Sequence, residues 1–475
     1  MNQPGATGRP LISALIAAGI SLACSLALIA TQRIPQRVAF DVVVYHEPAA
    51  RQFAADWLAF DFRDYLSATT PGFHLLLAAL VKFVSGSFVL MQIASAVITG
   101  MLAGVVGWGN GGRASPLWAV LLTLPVMLSA YVMQAGAWPL PDNLGWLGVA
   151  AVLVMALRLR TTVGAIVCFG AALAALVFVR QSHLWVAAAM LAAMWMAPSP
   201  PGGVIRSLVF RWRQRLPRTL LATAACIPAV LILWWFWRLW GGLTPPRFAA
   251  QHQGANWATP AFVLANLGVV SLCFAPLLAP AAVGAWKHAR GWLIVALVAG
   301  LACARIPATT YDLDAGRSSG LWNLAKVGPV EGESSLVILG LALLGALSVV
   351  VWVRALPQKH GVVFLAAVGG FMLAQIANHN CWQRYVEPVV LILCSLSGAS
   401  VWRAMGEAGP LRRRLVGAGL VGLCVLLAGA NVATLRPFPT IEAYREGYRR
   451  EGVPPIGGAY VPKSQRGAPG AGQPE

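Results

Sequence analysis

Five carboxylates fall between Thr31 and Pro71: Asp41, Glu47, Asp56, Asp61 and Asp64. They stand among aromatic, histidine and arginine residues. The stretch runs Phe40-Asp41-Val-Val-Val-Tyr45-His46-Glu47-Pro48, then Arg51-Gln52-Phe53, then Trp57, Phe60-Asp61-Phe62-Arg63-Asp64, and closes with Thr69-Thr70-Pro71-Gly72-Phe73-His74. A carboxylate in such a setting can take the proton of a hydroxyl as that hydroxyl attacks an electrophilic carbon. If the leaving group is a phosphate, no strong general acid is needed, but fixed cations must meet the charge that develops on it. Arg180, in Phe178-Val179-Arg180-Gln181-Ser182-His183-Leu184-Trp185, and Arg384, in Arg384-Tyr385-Val386-Glu387-Pro388, are the arginines placed to do so. Asp41 is the expected base, with Glu47, Asp61 and Asp64 able to replace it. His46, Gln181, Tyr385 and Glu387 are the expected binding side chains around Arg180 and Arg384.

Each of these residues also has a structural reading. A loop acid can simply be solvated, Arg180 can reach from a helix end to lipid headgroups, and His46 and His74 can pack in a core. Asp142, followed by Asn143, has no second acid beside it and reads as a helix cap rather than a metal ligand. The eight cysteines lie singly, without a CxxC pair or a Cys/His cluster, so neither a metal site nor a disulfide framework is expected.

The elements that must position these groups are apolar. The chain has 475 residues, 58% hydrophobic and 11% charged, against roughly 25% charged in ordinary soluble proteins. So few charges cannot clothe a water-facing surface, which excludes a soluble enzyme, a secreted disulfide scaffold, a coiled coil and a disordered chain. Apolar runs lie near 11–30, 87–107, 117–133, 143–157, 163–180, 184–197, 219–240, 260–286, 291–304, 334–353, 361–377, 386–403 and 415–434, thirteen in all. The expectation is an all-α polytopic membrane protein whose first run is an uncleaved span. Phe73–Val84 is too short to cross and reads as a half-inserted helix. Residues 1–434 form the membrane domain. Residues 435–475, rich in Pro and Gly, form a poorly ordered tail with room for one short helix at Ile441–Glu451.

Charge sets the orientation. The formal net charge is +19, which in a soluble protein would suggest nucleic acid. Here the arginines cluster in alternate short loops, as the positive-inside rule requires, and no nucleic-acid partner is expected. With the N-terminus cytoplasmic, Arg113, Arg158, Arg160, the group Arg206–Arg218, Lys287, Arg290, Arg354, Lys359, Arg403 and Arg412–Arg414 all face the cytoplasm. Fifteen of the sixteen acids fall on the other side, Glu407 being the exception. The expected location is the cell inner (plasma) membrane, with the site outside the cytoplasm.

Three segments carry a resemblance to a known family. Tyr45-His46-Glu47-Pro48-Ala-Ala-Arg51-Gln52 resembles an aromatic-His-x-Pro-x-Ala-x segment. Asp61 through Thr69-Thr70-Pro71-Gly72 resembles a Trp-Asp-Pro…Thr-Thr-x-Pro-Gly segment. Phe178-Val179-Arg180-Gln181-Ser182-His183-Leu184-Trp185 resembles Phe-Arg-Gln-Thr-Asn…Trp. The segments they resemble are those of GT-C membrane glycosyltransferases, most of all the dolichyl-phosphate-glucose-dependent alpha-1,2-glucosyltransferases; Arg384-Tyr385 and Pro388 are a looser echo. The matches cover about a tenth of the chain. Where that family has an Asp-Glu pair before the aromatic-His step, this chain has Asp41 followed by valines, leaving Glu47 to supply any second acid.

The resemblance implies a GT-C-like bundle with a long first extracytoplasmic loop. It implies an inverting hexosyltransferase using a polyprenyl-phosphate sugar as co-substrate, without a cofactor, and a lipid-linked or envelope glycan as acceptor. The rival reading is a polytopic lipid or sugar transporter or flippase. It is weakened because the span middles lack buried Asp, Glu or Lys, which cost roughly 2.5–3.5 kcal/mol each to insert and so mark ion relays.

Overall fold

The computed structural model describes residues 8–33, 36–63, 65–158, 162–197, 212–406 and 409–435. Asp64, Arg160, Arg206, Arg211, Glu407 and the tail beyond residue 435, with its Ile441–Glu451 segment, lie outside the described residues. The fold is helical, with one two-stranded hairpin, Val330–Glu331 against Ser334–Ser335. Each apolar run of the sequence carries helix. Among the described residues, seven helices are long and apolar enough to cross a membrane, or nine if each of two bent pairs is one span. The helices Asp142–Arg158, Val163–Val179, Val186–Trp195 and Arg290–Arg305 are shorter. Gly72–Phe83 is a separate twelve-residue apolar helix.

The first bend separates Pro116–Leu128 from Ala130–Ala137 by 74°. Pro125 removes one backbone donor from the turn before the break, and Ser129 between the helices is extended, with its hydroxyl donating to Glu387 Oε1 at 2.7 Å. The second bend corrects an expectation. The run 260–286 is not one straight span but two helices, Thr259–Cys273 and Ala275–His288, meeting at 108°. Pro276 lies in the first turn of the second helix, where its missing N–H costs nothing, so the chain can start a new axis there. Hydropathy is blind to direction, and a continuous apolar run therefore hides the turn.

The two ends of the bundle differ in charge. At one end the loops are knitted together by backbone acceptors. Asn256 Nδ2 donates to the Ala315 and His379 carbonyls at 2.9 and 2.7 Å, and Cys381 N–H donates to Gly316 O at 3.0 Å. Gly316 sits at φ +69°, and a Cβ there would stand 2.4 Å from His379 O, so the crossing needs glycine. The described ion pairs all fall at this end. At the other end Arg113 donates to Gly109 O and Leu157 O, Arg158 to Trp108 O, and Arg412 to Pro276 O and Leu277 O. Carbonyls, rather than carboxylates, hold these cations. Lengthwise through the centre runs Gln383–Ala404, 89% of whose apolar window is buried, against 22% for Pro410–Thr434 on the outside. That central helix carries Arg384, Tyr385 and Glu387 in its first turns.

Candidate active site

Asp41 ends a short helix, Gln36–Asp41, and a π-helical turn follows, Val42–His46, before helix Glu47–Ala55. In the π turn the Glu47 N–H donates to Val42 O, five residues back. Such wide turns are uncommon and recur at functional sites. The turn leaves Asp41 and His46 on a common side, and His46 feels the charges of Asp41, Asp142, Arg384 and Arg180 together.

Two ion pairs meet there. Arg384 Nη1 donates to Asp41 Oδ2 at 2.8 Å, joining residues from opposite halves of the chain. Arg180 Nη1 donates to Asp142 Oδ1 at 2.5 Å. The Tyr385 ring lies between them, with the Arg180 guanidinium 4.9 Å and the Arg384 guanidinium 5.0 Å from its centroid. Arg384 Nη2 donates to Tyr385 Oη at 3.0 Å and the guanidinium also lies over Trp382. Exposure separates the pairs. The Arg180 and Asp142 side chains are 11% and 9% exposed, the Arg384 and Asp41 side chains 31% and 23%. Asp41 is thus the carboxylate a substrate can reach. Burying paired charges costs several kcal/mol per ion before attraction returns any of it, so two such pairs side by side are poor devices for stability alone. Arg384 Nε is buried and makes no hydrogen bond among the described residues, a donor in reserve.

A chain of rings backs Asp41. His46 Nδ1 meets His74 Nε2 at 2.9 Å, and His74 Nδ1 meets the Tyr65 hydroxyl. Ser67 Oγ and Thr69 Oγ1 hydrogen-bond each other nearby at 3.1 Å. Burial pushes His46 down to about 4, with the nearby guanidinium groups adding to it and Asp41 and Asp142 opposing. His252 is likewise pushed down to about 4, by burial first and then by Arg384 and Arg180. Both rings are therefore neutral near pH 7, able to hydrogen-bond without adding charge.

Two of the sequence segments pack directly on one another. Thr70 Oγ1 donates to Val177 O at 2.7 Å, and Thr70 N–H donates to Gln181 Oε1 at 3.0 Å. A Cβ on Gly72 would meet Phe178 O at 2.7 Å. Thr70-Pro71-Gly72 is thus the seat on which the first loop rests against the end of Val163–Val179, next to Arg180. Gln181 Nε2 donates to Ala68 O and Leu243 O, both at 2.8 Å, so this side chain ties loops together.

The remaining expected residues stand apart from the ion pairs. Glu47 is buried and accepts from Arg51 Nε at 2.8 Å, while Arg51 Nη2 donates to Gly86 O. Asp61 is exposed, and the hydrogen bonds from Arg63 hold its carboxyl down at about 2. Glu387, a turn beyond Arg384, accepts from Ser129 and from Gln383 Nε2. Asp142 and His252 join the site although neither was expected in it. Asp142 does open its helix, Asp142–Arg158, as a cap would, but its carboxylate is given to Arg180. The Asp142-Asn143 step after Trp138-Pro139-Leu140-Pro141 was the available signal for Asp142. No group of three or more potential metal ligands occurs among the described residues. Comparisons with protein families, with curated proteins and with solved structures find no match for this chain.

Proposed function

We propose that this chain is a membrane glycosyltransferase that moves a hexose from a polyprenyl-phosphate donor to a lipid-linked or envelope glycan acceptor, with Asp41 as general base. The observation that carries the reading is the reachable Asp41–Arg384 pair set against the buried Asp142–Arg180 pair across Tyr385. The phosphodiester of such a donor, entering here, competes with Asp41 for the Arg384 guanidinium. Taking Arg384 also frees the Asp41 carboxylate. The acceptor hydroxyl then attacks the anomeric carbon and gives its proton to Asp41. The bond from that carbon to the phosphate oxygen breaks, and the polyprenyl phosphate leaves with its new charge met by Arg384 and Arg180. A single displacement of this kind inverts the anomeric centre. Asp142 keeps Arg180 in place, and the neutral His46, held by His74, lies within the field of the base.

In this reading the bundle crosses an inner membrane thirteen times, the N-terminus is cytoplasmic, and the site opens on the far face, where lipid-linked sugars rather than nucleotide sugars are supplied. The test is donor choice with purified protein. Transfer from a polyprenyl-phosphate hexose, undiminished in EDTA because guanidinium groups hold the phosphate, is the expected result. Robust transfer from a nucleotide sugar, or loss in EDTA reversed by a divalent cation, would overturn it.

A further inference from the structure

The end of the bundle opposite Asp41 carries a different feature. Between helix Pro116–Leu128 and helix Pro410–Thr434 runs an open groove of about 380 Å³. Leu117, Trp118 and Leu124 line one wall, Gly417 the other, and Arg413 and Arg414 complete the lining. From Leu117 to Leu124 the wall is about 10 Å long at the helical rise. Both helices begin at the same end, so the groove is charged at its start and apolar along its length. Its floor is open because residue 417 is glycine: a Cβ there would come no nearer than 3.5 Å to the Trp118 ring. Trp118 packs against the Trp402 ring in a tilted pair, with ring centroids 4.0 Å apart.

The charge at the start of the groove is uncompensated. Arg412 donates to two carbonyls, but no described carboxylate pairs with Arg413 or Arg414. The first turn of this helix holds no acid, and its dipole adds to the positive potential there. Arg113, Arg158 and Arg403 stand at the same end, near enough to repel one another. An apolar trough that begins at two guanidinium groups with no ion-pair partner among the described residues is complementary to a molecule with an anionic head and a hydrocarbon tail.

We infer that this groove binds an anionic phospholipid, its acyl chain along Leu117–Leu124 and its phosphate on Arg413 and Arg414. A zwitterionic lipid offers the same chain, but its ammonium group would meet the guanidinium field. The inference needs only a bilayer around the chain and does not depend on the reaction at Asp41.

The experiment is native mass spectrometry of the full chain titrated with phosphatidylglycerol or with phosphatidylcholine of the same acyl length. Phosphatidylglycerol should form the tighter first adduct. The double variant Arg413→Gln/Arg414→Gln should weaken it by about five-fold for each arginine removed and leave phosphatidylcholine unaffected. Gly417→Leu, which puts a side chain across the groove while keeping both arginines, should weaken it too. Thermal unfolding without added lipid establishes that each variant is folded; should Gly417→Leu fail to fold, Gly417→Val takes its place. Inorganic phosphate at matching concentration should not compete. Equal affinity for the two lipids, unchanged phosphatidylglycerol binding in the folded variants, or displacement by inorganic phosphate would overturn the inference.

Discussion

At the scale of single residues, the account turns on which charges face one another. Asp41, Arg180 and Arg384 were legible in the sequence because each is a charged residue at the edge of an apolar run, where a charge without a use is costly. That Arg384 would reach Asp41 was not legible, because the two come together only through tertiary packing. Asp142 was missed for a related reason: its partner Arg180 lies on another helix, and alone it reads as a cap. The lowered histidines give a testable pH dependence. His46 and His252 are held near 4 against an ordinary 6.5. Below 6.5 the unfolded chain takes up protons that the folded chain refuses. The stability contributed by neutral burial is therefore complete above about pH 6.5 and is lost as pH falls toward 4. Thermal unfolding of detergent-solubilised protein should show the midpoint falling over that interval, and His46→Gln should flatten part of the fall. A midpoint independent of pH from 7 to 4.5 would contradict the burial of these rings.

At the scale of elements, the Thr69-Thr70-Pro71-Gly72 step was readable as a helix start, but what it leans on was not. The structure sets it against the end of Val163–Val179, with Gly72 in backbone contact with Phe178. A methyl group there must displace main chain, since the obstacle is a carbonyl rather than a flexible side chain. Gly72→Ala should cost on the order of 1–3 kcal/mol and should lower transfer activity along with the thermal midpoint, because the first loop and Arg180 share this seat. Unfolding at the wild-type midpoint would mean that the contact is not made. The 108° turn at Phe274 was invisible for the opposite reason: the residues on both sides are equally apolar, and Pro276 alone marks the change of axis.

At the scale of the whole molecule, composition was the most informative quantity. A chain with 11% charged residues had to be built from apolar helices, and its described ion pairs gather at one end of the bundle, while Arg113, Arg158 and Arg412 are held by carbonyls at the other. The proposed topology rests on that polarity. Val327, in the loop between Arg290–Arg305 and Leu336–Ala355, is 82% exposed and lies at the acidic end. Val327→Cys in intact cells should react with a membrane-impermeant maleimide, and labelling only after lysis would reverse the orientation and place the site in the cytoplasm. The central claim, that Asp41 takes the proton, is tested most directly by turnover of Asp41→Asn with a polyprenyl-phosphate hexose at saturating donor. The variant should insert and unfold like the wild type but turn over roughly 10²–10⁴-fold more slowly, the usual worth of a general base. Turnover within a few-fold of wild type would contradict the assignment.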